Sequence, residues 1–340
     1  MNTHAIADFN GDRHLDLIFA DGNQNYVRVL LGMGNGTFHK VLTFPFACYY
    51  DQNHVNVGDF NNDNYPDLVI TNSENECISI ILNYKNKFWK EISLGYLGPN
   101  RTPVETVVGH FNDDRCLDIA GLFSIDNSVG VFFGQCNGTF FKPMLLYTGT
   151  NSYPIRITTA DFNCDGLQDI AVINKKARNI GIMLGNRGGT FQIQKISFTG
   201  GYHYPLYFAV DDFNDDTWPD IAVTYEAKSF INVMFGYGNG TVSGSTTFDF
   251  TDASIEHPIL VKDFNGDHHL DIGFGRNGRN MMLLVGHSDG TFELQTVLTT
   301  MYDDKHSWID IGDFNDDGHD DLVCMISLLD SQKIYFNICG

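Results

Sequence analysis

Apolar residues along this chain fall into short runs, not helical stripes. Stretches such as "HVNVGDFN" (54–61) and "SWIDIGDFN" (307–315) alternate apolar and polar positions and end in an acidic turn. An unbroken apolar run follows, "DLVITN" (67–72) or "DIAVIN" (169–174), and after a polar break a second, "CISIILN" (77–83) or "NIGIMLG" (179–185). A glycine turn then opens a fourth stretch, "GNGTFHKVLTF" (34–44) or "GGTFQIQKISF" (188–198). Runs of four to eight β-branched and aromatic residues bounded by Gly, Asn and Asp read as strands. The "GNGT" stretch suits a tight hairpin, because Asn-Gly tolerates the positive φ of a type I′ turn. No segment keeps a helical period over three turns.

The order of runs recurs. Aligned on the acidic turn, the repeats begin at Asp8, Asp59, His110, Asp161, Asp212, Asp263 and Asp313, in steps of 51 residues with a last step of 50. The turns read DFNGDRHLD, DFNNDNYPD, HFNDDRCLD, DFNCDGLQD, DFNDDTWPD, DFNGDHHLD and DFNDDGHDD. Four antiparallel strands in about 50 residues, repeated, predict the blade of a β-propeller. The expectation is an all-β fold of seven four-stranded blades, residues 1–340 forming one propeller domain. Phe9, Phe60, Phe111, Phe162, Phe213, Phe264 and Phe314 hold the second turn position in every repeat and are expected to wedge between blades. The seventh repeat runs out after "KIYFNICG", its third strand. The expectation is either a three-stranded last blade or a natural chain that extends further, since a bare apolar edge invites aggregation.

Composition narrows the partners. The 340 residues carry a net charge of −21, with no basic stripe to displace counterions from phosphates, so nucleic acid is a poor partner. No apolar run approaches the ~20 residues of a membrane span. The opening "MNTHAIADFN" has neither the basic nor the apolar region of a signal peptide. Seven cysteines form no CxxC pair and no zinc spacing.

More than half of the 42 acidic residues sit in the seven turns. Positions 1, 3, 5, 7 and 9 are Asp8, Asn10, Asp12, His14 and Asp16 in the first turn and Asp59, Asn61, Asp63, Tyr65 and Asp67 in the second. The fourth and fifth turns give Asp161, Asn163, Asp165, Leu167, Asp169 and Asp212, Asn214, Asp216, Trp218, Asp220. The sixth and seventh give Asp263, Asn265, Asp267, His269, Asp271 and Asp313, Asn315, Asp317, His319, Asp321. Oxygen-bearing side chains at alternate positions, with a backbone carbonyl at position 7, make a cage for a hard cation, and six to eight oxygens suit Ca²⁺ better than Mg²⁺. Without a cation the clustered carboxylates repel one another. Turn propensity alone favours Asp and Asn but does not explain Asn at 3, Asp at 5 and Asp at 9 in all seven. The third turn departs: His110 replaces the first Asp, leaving Asn112, Asp114, Cys116 and Asp118, and imidazole is a poor ligand for a hard ion. Up to seven Ca²⁺ are expected, the third site weak.

DxNxDxxxD beside "LLGxGNGTF" resembles the FG-GAP/VCBS repeat, the blade of integrin α-subunit propellers. The FG element stands in "FFGQCNG" and "MFGYGNG"; the GAP element is replaced by "VGDFN" and "TADFN". The resemblance implies a seven-bladed propeller with calcium in the hairpin between the first two strands of each blade, and ligands on the opposite face.

That face carries the second-to-third connections and the inter-blade links, with Tyr49, Tyr50, Tyr96, Tyr147, Tyr153, Tyr202, Tyr204 and Tyr302, and with His54, His203, His257 and His306. Basic residues Lys175, Lys176, Arg178, Lys228, Arg276 and Arg279 lie in its turns. Asn35, Asn100, Asn137 and Asn239 stand in Asn-x-Thr sequons, three of them in the glycine turns. The leading functional expectation is an extracellular or secreted, non-enzymatic recognition module for protein or glycan. The alternatives are a calcium-dependent polysaccharide lyase or hydrolase, or a purely structural propeller of a larger adhesin. No HExxH occurs.

Overall fold

The computed structural model describes residues 4–21, 26–45, 53–73, 76–84, 89–95, 97–98, 101–199, 203–226, 228–250, 255, 258–276, 280–298, 306–326 and 331–335. Among these residues every regular element is a strand. Each repeat folds into its own antiparallel sheet, with strands paired in chain order. The first sheet is His4–Ala7, Asp16–Asp21, Tyr26–Gly32 and Phe38–Pro45; the second is Asn53–Gly58, Asp67–Asn72, Cys77–Asn83 and Trp89–Ser93. The third runs Pro103–Gly109, Asp118–Phe123, Ser128–Phe132 and Met144–Tyr147, and the fourth Pro154–Ala160, Asp169–Asn174, Asn179–Met183 and Lys195–Phe198. The fifth is Pro205–Asp211, Asp220–Tyr225, Phe230–Gly236 and Val242–Asp249; the sixth is Leu260–Lys262, Asp271–Arg276, Asn280–Gly286 and Phe292–Leu298. Among the described residues the seventh sheet has three strands, His306–Gly312, Asp321–Ile326 and Ser331–Tyr335.

Burial explains the unbroken apolar runs. The second strands Asp67–Asn72, Asp118–Phe123, Asp169–Asn174 and Asp220–Tyr225 are buried at every position. Such strands have both faces covered, so nothing alternates. Fourth strands sit at the sheet edge and carry exposed positions, as in Met144–Tyr147 and Val242–Asp249.

The chain groups into two compact units: Met1–Thr159 with Gly185–Phe191 and Asp313–Gly318, and Ala160–Leu184 with Gln192–Gly312 and His319–Gly340. In the first unit, the Gly138 amide donates to the Phe60 carbonyl at 2.8 Å and the Gly36 amide to that of Phe314 at 2.9 Å. In the second, Gly240 bonds Phe162 the same way at 2.9 Å. The second-position phenylalanines are the wedge: all but the half-buried Phe264 are at most 3% exposed. Four of them pack edge-on against the phenylalanine of a neighbouring repeat's glycine turn: Phe60 on Phe140, Phe111 on Phe191, Phe213 on Phe292 and Phe314 on Phe38.

Candidate functional site

The acidic turn is built by its own amides. Position 6 has positive φ in all seven turns: Arg13, Asn64, Arg115, Gly166, Thr217, His268 and Gly318. Position 4 is positive in six: Gly11, Asn62, Cys164, Asp215, Gly266 and Asp316. Left-handed residues alternating with right-handed ones turn successive N–H groups into one concavity, an anion nest. The position-1 carboxylate caps it. Asp8 Oδ1 accepts from the Gly11 and Asp12 amides at 2.7 and 3.0 Å, and Oδ2 from Arg13 at 2.7 Å. Asp59, Asp161, Asp212, Asp263 and Asp313 take the matching amides of their turns.

Positions 3 and 5 continue the chain of contacts. Asn10 Oδ1 accepts the Asp12 amide at 2.8 Å, Asp12 Oδ1 accepts the His14 amide at 2.9 Å, and Asn10 Nδ2 donates to Asp12 Oδ2 at 2.8 Å. Asn61 and Asp63, Asn163 and Asp165, Asn214 and Asp216, and Asn265 and Asp267 accept amides alike. Asn315 does so for Asp317. Position 7 varies in chemistry, so only its carbonyl is common to the seven. Two of its histidines reach the adjacent turn: His14 Nδ1 lies 2.5 Å from Asp316 Oδ2, and His269 Nδ1 lies 2.9 Å from Asp215 Oδ2.

Position 9 has a second job that the pattern did not disclose. Asp16, Asp67, Asp118, Asp169, Asp220, Asp271 and Asp321 each open the second strand and are fully buried. In six repeats Oδ2 accepts the amide of the second-position Phe at 2.8–3.0 Å. In five, Oδ1 accepts an amide at the end of the third strand, from Gly32, Asn83, Gly134, Gly236 or Gly286, at 2.7–2.8 Å. The carboxylate thus ties the acidic turn to the glycine turn of its own repeat. In four of the five the residue it meets is glycine, and there a Cβ on Gly32, Gly134, Gly236 or Gly286 would collide with the carbonyl of Leu15, Leu117, Pro219 or Leu270. Burial pushes these carboxyls up, to about 6 in Asp16 and Asp118 and about 7 in Asp67 and Asp220. The two amides act against burial, while the position-5 carboxylate adds to it in all four. Asp271 is raised for the same reasons.

Six turns therefore hold four oxygen-bearing side chains and a main-chain carbonyl, the hard donor set that suits calcium. Each carboxylate oxygen that accepts one N–H keeps a second lone pair. The charges at positions 1 and 5 already weigh on Asp16, Asp67, Asp220 and Asp271. The residues present fit the ion in these six. As the turns stand, closed on their own amides, no three His, Cys, Asp or Glu groups among the described residues converge tightly enough to hold a metal by themselves. The third turn does not fit: its position 1 is an imidazole whose Nδ1 lies 3.0 Å from the Cys116 carbonyl.

The other end of the sheets is more mixed. Arg178 lies over the Tyr204 ring at 4.8 Å and donates from Nη2 to its hydroxyl at 3.2 Å. Lys175 pairs with Glu226 at 3.1 Å, and Lys176 is exposed. Tyr147, Tyr153 and Tyr204 are exposed as expected, whereas His203 packs its ring against Tyr225 and Phe230. His54 is inside: Nε2 faces Glu105 Oε1 at 3.6 Å, and Nδ1 accepts the Thr106 amide at 3.4 Å. Burial, then Arg156 and His4, lower its pKa to about 3, while burial raises Glu105, against the pull of Arg156 and the Ile157 amide. Tyr49, Tyr50, Tyr96, Tyr202, Tyr302, Asn100, His257 and Arg279 lie outside the described residues, as do the side chains of Arg276 and His306. In the glycine turns, Asn35, Asn137 and Asn239 each accept the Thr hydroxyl and amide two residues on.

Repeated four-stranded sheets, interlocked phenylalanines and anchored acidic turns define a β-propeller. An FG-GAP-like repeat model matches residues 8–70, 161–223, 212–274 and 263–324, more than half of the chain, which therefore belongs to the FG-GAP repeat family. No curated protein sequence matches it. Among solved structures, an Agrocybe aegerita lectin, described in specific recognition of non-reducing terminal N-acetylglucosamine, is similar at 15% identity over 88% of this chain and 80% of that one, TM-score 0.63. BBS1N in complex with ARL6DN is similar at 12% identity over 97% and 90%, TM-score 0.66. Virginiamycin B lyase from Staphylococcus aureus is similar at 12% over 98% and 99%, TM-score 0.63. At these identities the likeness is one of fold. No helix among the described residues is long and apolar enough to cross a membrane.

Proposed function

We propose that the chain is a calcium-braced, non-enzymatic recognition module of the extracellular space, binding a protein or glycan at the sheet ends opposite its acidic turns. The observation that carries the calcium reading is the donor set repeated in six turns, whose charges at positions 1 and 5 add to burial in pushing up the position-9 carboxyls Asp16, Asp67, Asp220 and Asp271. An ion would be held by the side chains at positions 1, 3, 5 and 9 and the carbonyl at 7, supplying the positive charge those carboxylates lack. Binding only the folded chain, it would stabilise the fold by linkage. Two features support an extracellular setting: the Cys116–Cys136 disulfide, and a second disulfide at Cys77. The non-enzymatic reading rests on the His54–Glu105–Arg156 group, which is engaged with backbone: Ile157 N–H donates to Glu105, and Arg156 donates to the Ile155 carbonyl. Recognition is assigned to the opposite end because exposed tyrosines and cations meet there, large rigid groups that suit an interface. The test has two parts. Calcium titration of chelator-stripped protein, followed by melting temperature, should raise the midpoint in a saturable way; no shift up to millimolar calcium refutes the ion. A glycan array and a polysaccharide turnover assay then separate lectin from lyase; release of unsaturated products refutes the non-enzymatic reading.

A further inference from the structure

The third acidic turn differs from the other six in backbone as well as in sequence. Position 4 is left-handed in the six others, but Asp113 is not. With His110 at position 1, the carboxylate that gathers the amides of positions 5 and 6 elsewhere is gone. The imidazole crosses the turn instead, Nδ1 lying 3.0 Å from the Cys116 carbonyl. A carbonyl only accepts, so the ring nitrogen carries the proton in this contact. It therefore places an N–H donor against the position-7 carbonyl, where an ion requires an open acceptor. The same residue makes a second contact of its own. Cys116 is bonded through its sulfur to Cys136, 20 residues on, in the glycine turn of the same repeat. No other repeat has cysteine at position 7. The buried Asp118 spans the same two turns, from the Phe111 amide to the Gly134 amide. A covalent and a charge-assisted tie thus run side by side in this repeat.

We infer that the third turn is a cation-independent copy of the calcium turn, in which the His110 imidazole and the Cys116–Cys136 bridge take the place of the ion. The inference rests on the calcium reading of the other six turns. It makes the chain bind one ion fewer than it has repeats, and it leaves the third repeat braced when calcium falls.

Hydrogen exchange of the intact protein, in calcium and after chelation, tests this segment by segment. Residues 161–169 should exchange about tenfold faster once calcium is stripped, whereas residues 110–118 should hold their rate. Ion counting by mass spectrometry should give no more than six Ca²⁺ per chain, and His110→Asp should add one. The double substitution Cys116→Ser with Cys136→Ser should speed exchange of 110–118 by about tenfold even in calcium. Chelator-sensitive exchange at 110–118 equal to that at 161–169, or seven ions in the unmodified chain, overturns the inference and leaves the calcium reading standing. No bound ions and no response in either segment sinks the calcium reading, and the inference with it. Both wild-type measurements stand even if a variant fails to fold.

Discussion

The pH dependence of stability should change sign when calcium is removed. In the stripped protein the deciding groups are Asp16 and Asp118, with carboxyls at about 6, and Asp67 and Asp220, at about 7. The ordinary value of an aspartate is 3.8. A folded-state pKa above the unfolded one means the folded chain binds the proton more tightly. Its contribution to stability is full below 3.8 and is lost as pH rises through 6 to 7. Between pH 7 and 5, each carboxyl protonated only in the folded state adds about 1 kcal/mol per pH unit. All four are fully buried, so bulk water screens them little, but the buried His54, with its pKa lowered to about 3, works against them over the same window. A net gain of about 2–4 kcal/mol on acidification from pH 7 to 5 is the expected size. An ion beside Asp16, Asp67 and Asp220 favours their charged form and pulls the pKa down, while Asp118, in the third turn, keeps its slope in both buffers. The calcium-loaded protein should therefore lose stability over this window, as protons displace the ion. Urea denaturation followed by tyrosine and tryptophan fluorescence, at pH 7, 6 and 5, in chelator and in millimolar calcium, reads both slopes. Parallel slopes of the same sign in the two buffers would refute the reasoning, because they would mean the buried carboxyls do not feel an ion.

Other perturbations probe the scaffold. Phe60→Ala removes a side chain 1% exposed and wedged against Phe140, and should cost about 3–5 kcal/mol in a denaturant titration. Gly236→Ala drives a methyl into the Pro219 carbonyl and should lower stability by about 1–3 kcal/mol or more, read as a drop in melting temperature. Asp220→Asn keeps the shape but sets an amide N–H₂ against one of two buried donors, Phe213 or Gly236, and should cost about 1–3 kcal/mol in calcium. His54 should dominate the acid limb. Its folded pKa of about 3 lies below the ordinary histidine value of 6.5, so stability is lost as pH falls from 6.5 towards 3, and His54→Gln should flatten that limb.

The period of 51, the strand order and the phenylalanine wedge were legible because each is a repeated local rule: apolar runs between turn formers, and one aromatic at a fixed offset. The match of Phe to a specific partner was not, since Phe140 lies 80 positions from Phe60 and nothing local marks it. The Cys116–Cys136 bond was equally hidden. An odd cysteine count leaves pairings open, and the cue that resolves it is spatial: position 7 of the acidic turn lies beside the glycine turn of the same repeat. The His54–Glu105–Arg156 group escaped for a related reason. These residues come one from each of three consecutive first strands, with no common motif.

The acidic turn shows why sequence reasoning about a cation site stops where it does. Asp at position 9 looks like the ligand that closes a cage, and every odd-position oxygen invites the same reading. In the fold, that Asp already has buried amides on both oxygens in five repeats, so invariance at position 9 follows from the architecture whether or not an ion binds. Positions 1, 3 and 5 are different. They are exposed or half-buried, and the hydrogen bonds described above for them lie within the turn, so turn formation alone could be served by Ser or Thr as well as by a carboxylate. The excess of charge there goes beyond the needs of the turn, and it is this excess that the proposed ion would account for. The third repeat supplies the control: with position 1 freed of its carboxylate, position 9 is kept as Asp118 with the same two amides, while the turn gains a disulfide. On the calcium reading the anchor and the ion are separable in one molecule, and removing calcium should loosen positions 1 to 5 of six turns while leaving the second strands in register.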